Sequence, residues 1–184
     1  RLNCTFFING EALKRYPGAV REIARANHEV GSLFYAYFNM TDRKYELDKE
    51  FIKTGLALTE DEYFSVTGRD FVTYWHAPFY FVNSDIIEIS REMGYTYVGR
   101  DVETMDWVTE NERNITRGIY MDAAALIERI MEEKKPGSII PVMAGKPEGV
   151  RKDFLFQKLD VLINALLNRG YEIVSVSTLI NHAR

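Results

Sequence analysis

The chain has 184 residues, of which 46% are hydrophobic and 27% charged. This is the composition and length of a globular protein with a large core. We predict one domain over residues 1–184. A net charge of −4 offers no basic surface for nucleic acid, and the single cysteine, Cys4, excludes an internal disulfide and a cysteine-based metal site. No apolar run is long enough to span a membrane, and the absence of an initial methionine is interpreted as a mature or truncated product.

The first half of the chain alternates short apolar runs with longer amphipathic segments. In chain order we predict a strand at Cys4–Ile8, a helix over Glu11–Ala26 with an early break at Pro17, and a strand at Glu29–Leu33. After the polar stretch Thr41–Lys49 we predict a helix that runs to about Thr67, a strand at Phe71–Trp75, a helix capped by Ser84, and a strand at Thr96–Val98. Gly68 and Gly94 are expected to end the second and third helices, because glycine readily adopts the conformation found at helix C-termini.

The second half continues the same alternation with clearer helical periodicity. The predicted elements are a helix carrying Ile119, Ala123, Leu126, Ile127, Ile130 and Met131, a turn at Pro136-Gly137, a strand at Ser138–Met143, a helix carrying Leu155, Leu159, Leu162, Ile163 and Leu166, a strand at Glu172–Val176, and a short terminal helix. Repeated strand–helix units favour a parallel sheet with helices outside it, as an open doubly wound sheet or as a closed barrel. No glycine-rich phosphate loop follows the first strand, which argues against nucleotide binding.

Several short motifs occur in a fixed order along nearly the whole chain. They are Thr5-Phe6-Phe7-Ile8, Tyr16-Pro17, His28-Glu29-Val30-Gly31, Thr67-Gly68, Trp75-His76-Ala77-Pro78-Phe79, Asp101-Val102-Glu103-Thr104-Met105-Asp106-Trp107, Pro136-Gly137-Ser138-Ile139-Ile140 and Arg169-Gly170-Tyr171. Their order and approximate spacing resemble those of the polysaccharide deacetylase family, the NodB-homology domain of carbohydrate esterase family 4. The resemblance implies an α/β fold, a distorted (β/α)7 TIM-like barrel. The family's first strand, with its Asp-Asp pair, would fall upstream of Arg1, so it is expected to be removed or absent here.

The same resemblance implies a divalent metal such as zinc, held by two histidines four residues apart and by an aspartate of the first motif. This chain has Leu33 and Tyr37 at the two histidine positions. Leucine has no donor atom, and the tyrosine phenol, with an ordinary pKa of about 10, is a poor ligand at neutral pH. We therefore predict a degenerate member of the family that binds no metal and no cofactor.

Other catalytic positions of the family have changed as well. Met143 stands where the resemblance places the acid histidine, Ala144 replaces the aspartate beside it, and His76 replaces the arginine that orients the base. Asp106 is retained, so His76 and Asp106 are the remaining catalytic candidates, as a possible acid–base pair. The alternative for His76 is a hydrogen bond that fills the space left by arginine. His28 is interpreted as a structural hydrogen-bonding residue near a strand start.

Aromatic residues are concentrated in or beside the motifs at the strand ends. They are Phe34, Tyr35, Tyr37, Phe38, Trp75, Phe79, Tyr80 and Trp107. Aromatic faces with a polar edge suit sugar rings, and the candidates for substrate binding are Tyr35, Tyr37, Trp75, Tyr80 and Trp107. We expect Leu33, Tyr37 and Met143 to fill the vacated metal cavity, and Tyr35, Trp75 and Tyr80 to lie at its rim.

Three functions stay open at this point. The favoured one is a catalytically impaired deacetylase-like domain, a pseudoenzyme that binds carbohydrate or serves as a structural module. The second is an active hydrolase that cleaves the amide carbon–nitrogen bond of N-acetyl sugars through a site rebuilt around His76 and Asp106. The third is a protein-interaction module. The resemblance implies an N-acetylated glycan or cell-wall polysaccharide as partner, and a location outside the cell or in its envelope.

Overall fold

The structure, a computed structural model, describes residues 2–45, 47–110, 119–145 and 149–182. The chain divides into two units, the first formed by Arg1–Gly99 with Val174–Arg184 and the second by Arg100–Ile173. The single domain over residues 1–184 stays a prediction. Within the described ranges, no helix combines the length and the apolar character that crossing a membrane requires.

A parallel sheet of four strands forms the centre of the first unit. Its strands, hydrogen-bonded in chain order, are β1 (Thr5–Ile8), β2 (Glu29–Ser32), β3 (Tyr74–Trp75) and β4 (Thr96–Tyr97). All three pairings are parallel, with Thr5 opposite Glu29, Ser32 opposite Trp75 and Trp75 opposite Tyr97. The first four predicted strands and their parallel arrangement are therefore confirmed, although β3 and β4 are shorter than the apolar runs suggested.

The described residues contain seven α-helices, and the first four of them, together with the strands of the first unit, follow the predicted alternation. The seven helices are α1 (Gly10–Arg15), α2 (Pro17–Arg25), α3 (Lys49–Thr67), α4 (Ser84–Glu92), α5 (Ala123–Glu133), α6 (Leu159–Asn168) and α7 (Val176–His182). The predicted break at Pro17 is confirmed, because proline begins α2, a position where its missing N–H costs nothing. Gly68 ends α3 with a φ of 67°, as expected. The predicted cap at Ser84 is wrong by one residue, since the Asn83 side chain accepts the Ile86 N–H.

The core of the first unit lies between the sheet and α1 to α4. Its fully buried side chains include Leu13, Phe34, Ile52, Leu56 and Trp75. Phe34 fits against the backbone of α3 at Gly55, where an added Cβ would stand 2.2 Å from the Phe34 ring carbon Cζ. This close packing of Phe34 against α3 holds the backbone that follows β2 in position.

The C-terminal residues of the first unit are tied to the amino-terminal ends of β1 and β2. The Glu29 carboxylate accepts the Thr5 hydroxyl at 2.6 Å, the Ser177 N–H at 3.2 Å and the Ser177 hydroxyl. The Val176 N–H donates to the Thr5 hydroxyl oxygen at 2.9 Å. The strand predicted at Glu172–Val176 is wrong, because residues 172–175 form no strand and Val176 begins α7.

The second unit packs α5 and α6 around an apolar cluster. The buried members of this cluster are Val102, Leu126, Ile127, Ile130, Leu155, Leu162 and Leu166. The predicted strand at Ser138–Met143 is wrong, since the described residues form no ladder there. Carboxylates accept two of its N–H groups: Ile139 donates to Asp101 at 2.7 Å and Met143 donates to Asp106 at 2.7 Å. A barrel of seven strands stays a prediction.

Candidate functional site

The carboxyl ends of β1, β2 and β3 bring the motif residues of the first unit together. The Leu33 N–H donates to the Ile8 carbonyl at 3.0 Å, and the His76 N–H donates to the Ser32 carbonyl at 3.1 Å. Leu33 and His76 thus continue the strand pairing by one residue at the same edge of the sheet. This edge is where parallel α/β folds place their ligand sites.

The residues at the family's ligand positions do not fit a metal ion. Leu33 is half-buried and contributes only its backbone hydrogen bond. The Tyr37 side chain is 40% exposed, and its ring centroid lies 4.6 Å from that of Phe79. Across the described ranges, no three His, Cys, Asp or Glu side chains come together in a way that could hold an ion. The predicted lack of a metal remains a prediction.

His76 lies between two aromatic rings. Its ring stacks on Tyr80 with centroids 4.5 Å apart and an interplanar angle of 3°, and it meets Phe7 edge-on at 4.8 Å. Its Nδ1 lies 3.0 Å from the Ala77 carbonyl oxygen, which agrees with a ring placed by packing and hydrogen bonding. His76 and Asp106 belong to different units, so their pairing stays a prediction.

Trp75 does not lie at a rim. It is 0% exposed, and its indole N–H donates to the Ser90 hydroxyl at 2.9 Å. Successive side chains of a strand point to opposite faces, and Trp75 points into the core, where it meets Phe34 and Tyr97. The expectation that Trp75 offers a face to a sugar is therefore wrong.

Tyr37 and Phe79 are exposed aromatic residues at this edge whose rings pack together. Phe79 is 39% exposed, and the two rings are tilted by 47°. The expectation that Tyr37 fills a cavity is wrong, because its ring lies at the surface. Phe79 stands among the strand-end aromatics in the sequence, but no pattern distinguished it from its neighbours, since its outward position depends on an unusual backbone conformation.

Three aromatic residues beside this edge have a positive φ. The values are 61° for Phe34, 56° for Phe79 and 61° for Tyr80. Bulky residues rarely adopt this region, and such strain costs on the order of 1–3 kcal/mol each and concentrates at functional sites. Buried Pro78 before Phe79 and the stack of His76 on Tyr80 hold the loop in this conformation.

Tyr35 is half-buried against the start of α1. An added Cβ at Gly10 would lie 2.4 Å from its ring, and the Gly10 N–H donates to the Tyr35 carbonyl at 3.0 Å. The Lys14 ammonium lies 5.1 Å from the ring centroid, a cation–π distance. Tyr35 is thus held between backbone and cation, whereas Tyr37 is 40% exposed.

In the second unit, Asp106 occupies a buried polar site. It is 6% exposed, and its carboxylate accepts the Met143 N–H at 2.7 Å and the Thr104 hydroxyl at 3.2 Å. Burial raises the pKa of the Asp106 carboxyl above its ordinary value, although both hydrogen bonds and the charge of Arg151 act to lower it. Met143 therefore meets Asp106 through its backbone, and neighbouring Trp107 is partly exposed.

Comparison with known sequences gives a consistent result. The profile described as polysaccharide deacetylase matches residues 1–98. A chitooligosaccharide deacetylase of Azorhizobium caulinodans is 27% identical over 143 residues, covering 78% of this chain and 61% of the relative. The peptidoglycan-N-acetylglucosamine deacetylase PgdA of Listeria monocytogenes is 25% identical over 179 residues, covering 97% of this chain and 33% of the relative. The chain thus spans less than two thirds of either relative.

Solved structures share the fold at lower identity. BA3943 of Bacillus anthracis, described as a CE4 family pseudoenzyme, is 22% identical with a TM-score of 0.75, covering 97% of this chain and 55% of that one. A mutant of BA3943 is described as having restored enzymatic activity. PdaA of Bacillus subtilis, a family 4 carbohydrate esterase, has a TM-score of 0.79 at 19% identity, covering 100% of this chain and 71% of that one. The α/β fold is therefore that of these esterases.

Proposed function

The chain belongs to the polysaccharide deacetylase family, and we propose that it is a catalytically impaired member that binds an N-acetylated glycan at the carboxyl edge of its sheet without deacetylating it. The observation that carries the proposal is the edge itself. Leu33 and Tyr37 provide no metal-binding pair there, while Tyr37 and Phe79 present exposed rings 4.6 Å apart.

The loss of activity follows from what the substitutions remove. A metal-dependent hydrolase needs about three protein ligands and an open position for water. Leu33 supplies no donor, and Met143 supplies no acid at its position. Such changes remove interactions made in the transition state, whereas the ground-state contact of a sugar with an aromatic face does not depend on them.

The class of ligand is inferred from the relatives. One is named for chitooligosaccharides and the other for N-acetylglucosamine in peptidoglycan. We infer an oligosaccharide that contains N-acetylglucosamine, encountered outside the cell or in its envelope. The proposal of impaired catalysis is supported by BA3943, because that protein has the same fold and is described as a pseudoenzyme.

We predict that the purified chain releases no acetate from N-acetylglucosamine tetramer with added zinc, and that it retains no stoichiometric metal after dialysis. The reason is the missing ligand pair at Leu33 and Tyr37. Acetate release and elemental analysis test this, with a metal-dependent deacetylase as positive control. About one metal per chain that is lost in Tyr37→Phe, or turnover that is lost in His76→Ala, would favour the active hydrolase instead.

We predict that the same tetramer binds weakly through Tyr37 and Phe79. Aromatic contacts contribute on the order of 0.5–1.5 kcal/mol each beyond burial, so a few of them give a dissociation constant of roughly 1 mM. In a titration followed by ¹H–¹⁵N NMR, saturable shifts are expected in residues 33–38 and 76–81. The double variant Tyr37→Ala, Phe79→Ala should lose them.

Matched controls are available on the same unit. Tyr16 and Phe64 are also exposed aromatic residues, but they lie before α2 and on α3, and Tyr16→Ala with Phe64→Ala should leave binding unchanged. An absence of shifts at high tetramer concentration, or equal losses in both double variants, would contradict the glycan site and favour a structural or protein-binding role.

A further inference from the structure

A cavity lies at the other end of the sheet in the first unit, away from the edge formed by the carboxyl ends of the strands. It has a volume of about 330 Å³, and its lining includes Asn3, Asn27, His28, Glu29, Arg69 and Asp70. Asn3 precedes β1, and His28 immediately precedes β2, so the cavity is at the amino-terminal ends of the strands. Its volume is at the lower limit of ordinary ligand pockets, roughly 300–1,000 Å³.

Arg69 lines this cavity and is an exposed residue. Its Nη1 donates to the Ala24 carbonyl at 2.6 Å and lies 3.3 Å from the Asn27 amide oxygen. These two contacts fix the guanidinium, and no carboxylate of the described residues forms an ion pair with it. The remaining N–H groups form a planar fork that matches a carboxylate or phosphate.

His28 supplies a further donor. The Cys4 N–H points at His28 Nδ1 at 3.4 Å, and the Cys4 sulfur lies 3.5 Å from the same nitrogen. Burial raises the pKa of the Cys4 thiol, which keeps its proton. Because Nδ1 accepts, the proton of the neutral ring is on Nε2.

The two acids in the lining restrict the charge of a ligand. The Glu29 oxygens are already engaged by Thr5 and Ser177, and Asp70 is exposed. Both still repel an anion, and they repel a dianion more strongly than a single negative charge.

We propose that this cavity binds a small molecule through a single carboxylate, with Arg69 and His28 as its donors. The site is separate from the glycan-binding edge, because Leu33 and His76 follow the carboxyl ends of the strands, whereas His28 and Asn3 precede their amino ends. Glycan binding and carboxylate binding can therefore succeed or fail independently.

Titration of the chain with sodium acetate, followed by NMR of arginine Nε–H and histidine ring signals, tests the proposal. Saturable shifts of Arg69 and His28 are expected, with inorganic phosphate at equal ionic strength at least about threefold weaker. Arg69→Lys keeps the charge but loses the fork, and it should weaken acetate binding about tenfold or more. Arg21→Lys, an exposed change on α2, is the matched control and should have no effect.

Arg69 also contacts the end of α2, so thermal unfolding of each variant accompanies the titration. If Arg69→Lys unfolds, His28→Phe replaces it, since phenylalanine keeps the edge contact of the His28 ring with Phe6 and removes the Nε2 donor. No saturable shift, phosphate binding as tight as acetate, or unchanged binding in both variants would overturn the proposal.

Discussion

Leu33 and Tyr37 show how neighbouring residues at one strand end acquire different roles. Both replace histidine in the pattern that the family resemblance implies, but only Tyr37 reaches the surface. Leu33 is held by its backbone bond to Ile8 and stays half-buried. Of these two positions, Tyr37 therefore contributes the larger exposed surface, at 40% exposure.

Asp106 is a buried carboxyl whose environment differs from that of the unfolded chain. Its raised pKa means that the folded state binds a proton more tightly than the unfolded state does. The stability contributed by this group is fully present below its ordinary pKa and decreases as the pH rises through the raised value. At neutral pH its charge is thus a cost that the Met143 and Thr104 hydrogen bonds offset only in part.

We predict that Asp106→Asn has an unfolding free energy at pH 7 equal to or above that of the original chain, because the amide keeps an acceptor without the charge. The difference should shrink as the pH falls towards 3. Asp106→Ala leaves the Met143 N–H without its acceptor and should lose about 1–3 kcal/mol. Urea unfolding between pH 3 and pH 8 measures both. If the unfolding free energy of Asp106→Asn fell below that of the original chain only at high pH, the predicted upward direction of the Asp106 pKa shift would be wrong.

At the scale of elements, the contact between α3 and the residues after β2 positions the candidate site. Phe34 is fully buried with a φ of 61°, and its ring occupies the space where Gly55 lacks a side chain. Glycine in a helix interior normally costs about 0.5–1 kcal/mol relative to alanine. Here the missing side chain of Gly55 leaves room for the Phe34 ring, and so for the turn that leads to Tyr35 and Tyr37.

We predict that Gly55→Ala lowers the unfolding free energy by about 1–3 kcal/mol, because overpacking against the fixed Phe34 ring outweighs the better helix propensity of alanine. Gly18→Ala in α2 is the control, since nothing lies within 4 Å of its added Cβ, and it should be neutral or stabilising. Chemical unfolding measures both, and the double variant Gly55→Ala, Phe34→Leu should recover part of the loss. A neutral Gly55→Ala would show that the ring moves freely.

At the scale of the whole molecule, two compact units are organised differently. The first is built on a four-stranded parallel sheet, and the second on α5 and α6 with extended segments held by carboxylates. Periodicity and ordered motifs were sufficient to predict the alternation of elements, the parallel sheet and the family. They overestimated the strands at Ser138–Met143 and Glu172–Val176. In the first, carboxylates accept the N–H groups of Ile139 and Met143, and in the second, Val176 already begins α7.

The sequence by itself determined the α/β class, the breaks at Pro17 and Gly68, and the absence of histidine at positions 33 and 37. These depend on local backbone preferences and on residue identity, which need no contact partner. Only the tertiary structure decided that Trp75 is buried, that Tyr37 and Phe79 pack together with both rings exposed, and that Arg69 lines a cavity with no ion-pair partner among the described residues. Burial and side-chain direction depend on which distant residues pack together, and the positive φ of Phe34 and Phe79 is maintained by those contacts rather than by local propensity.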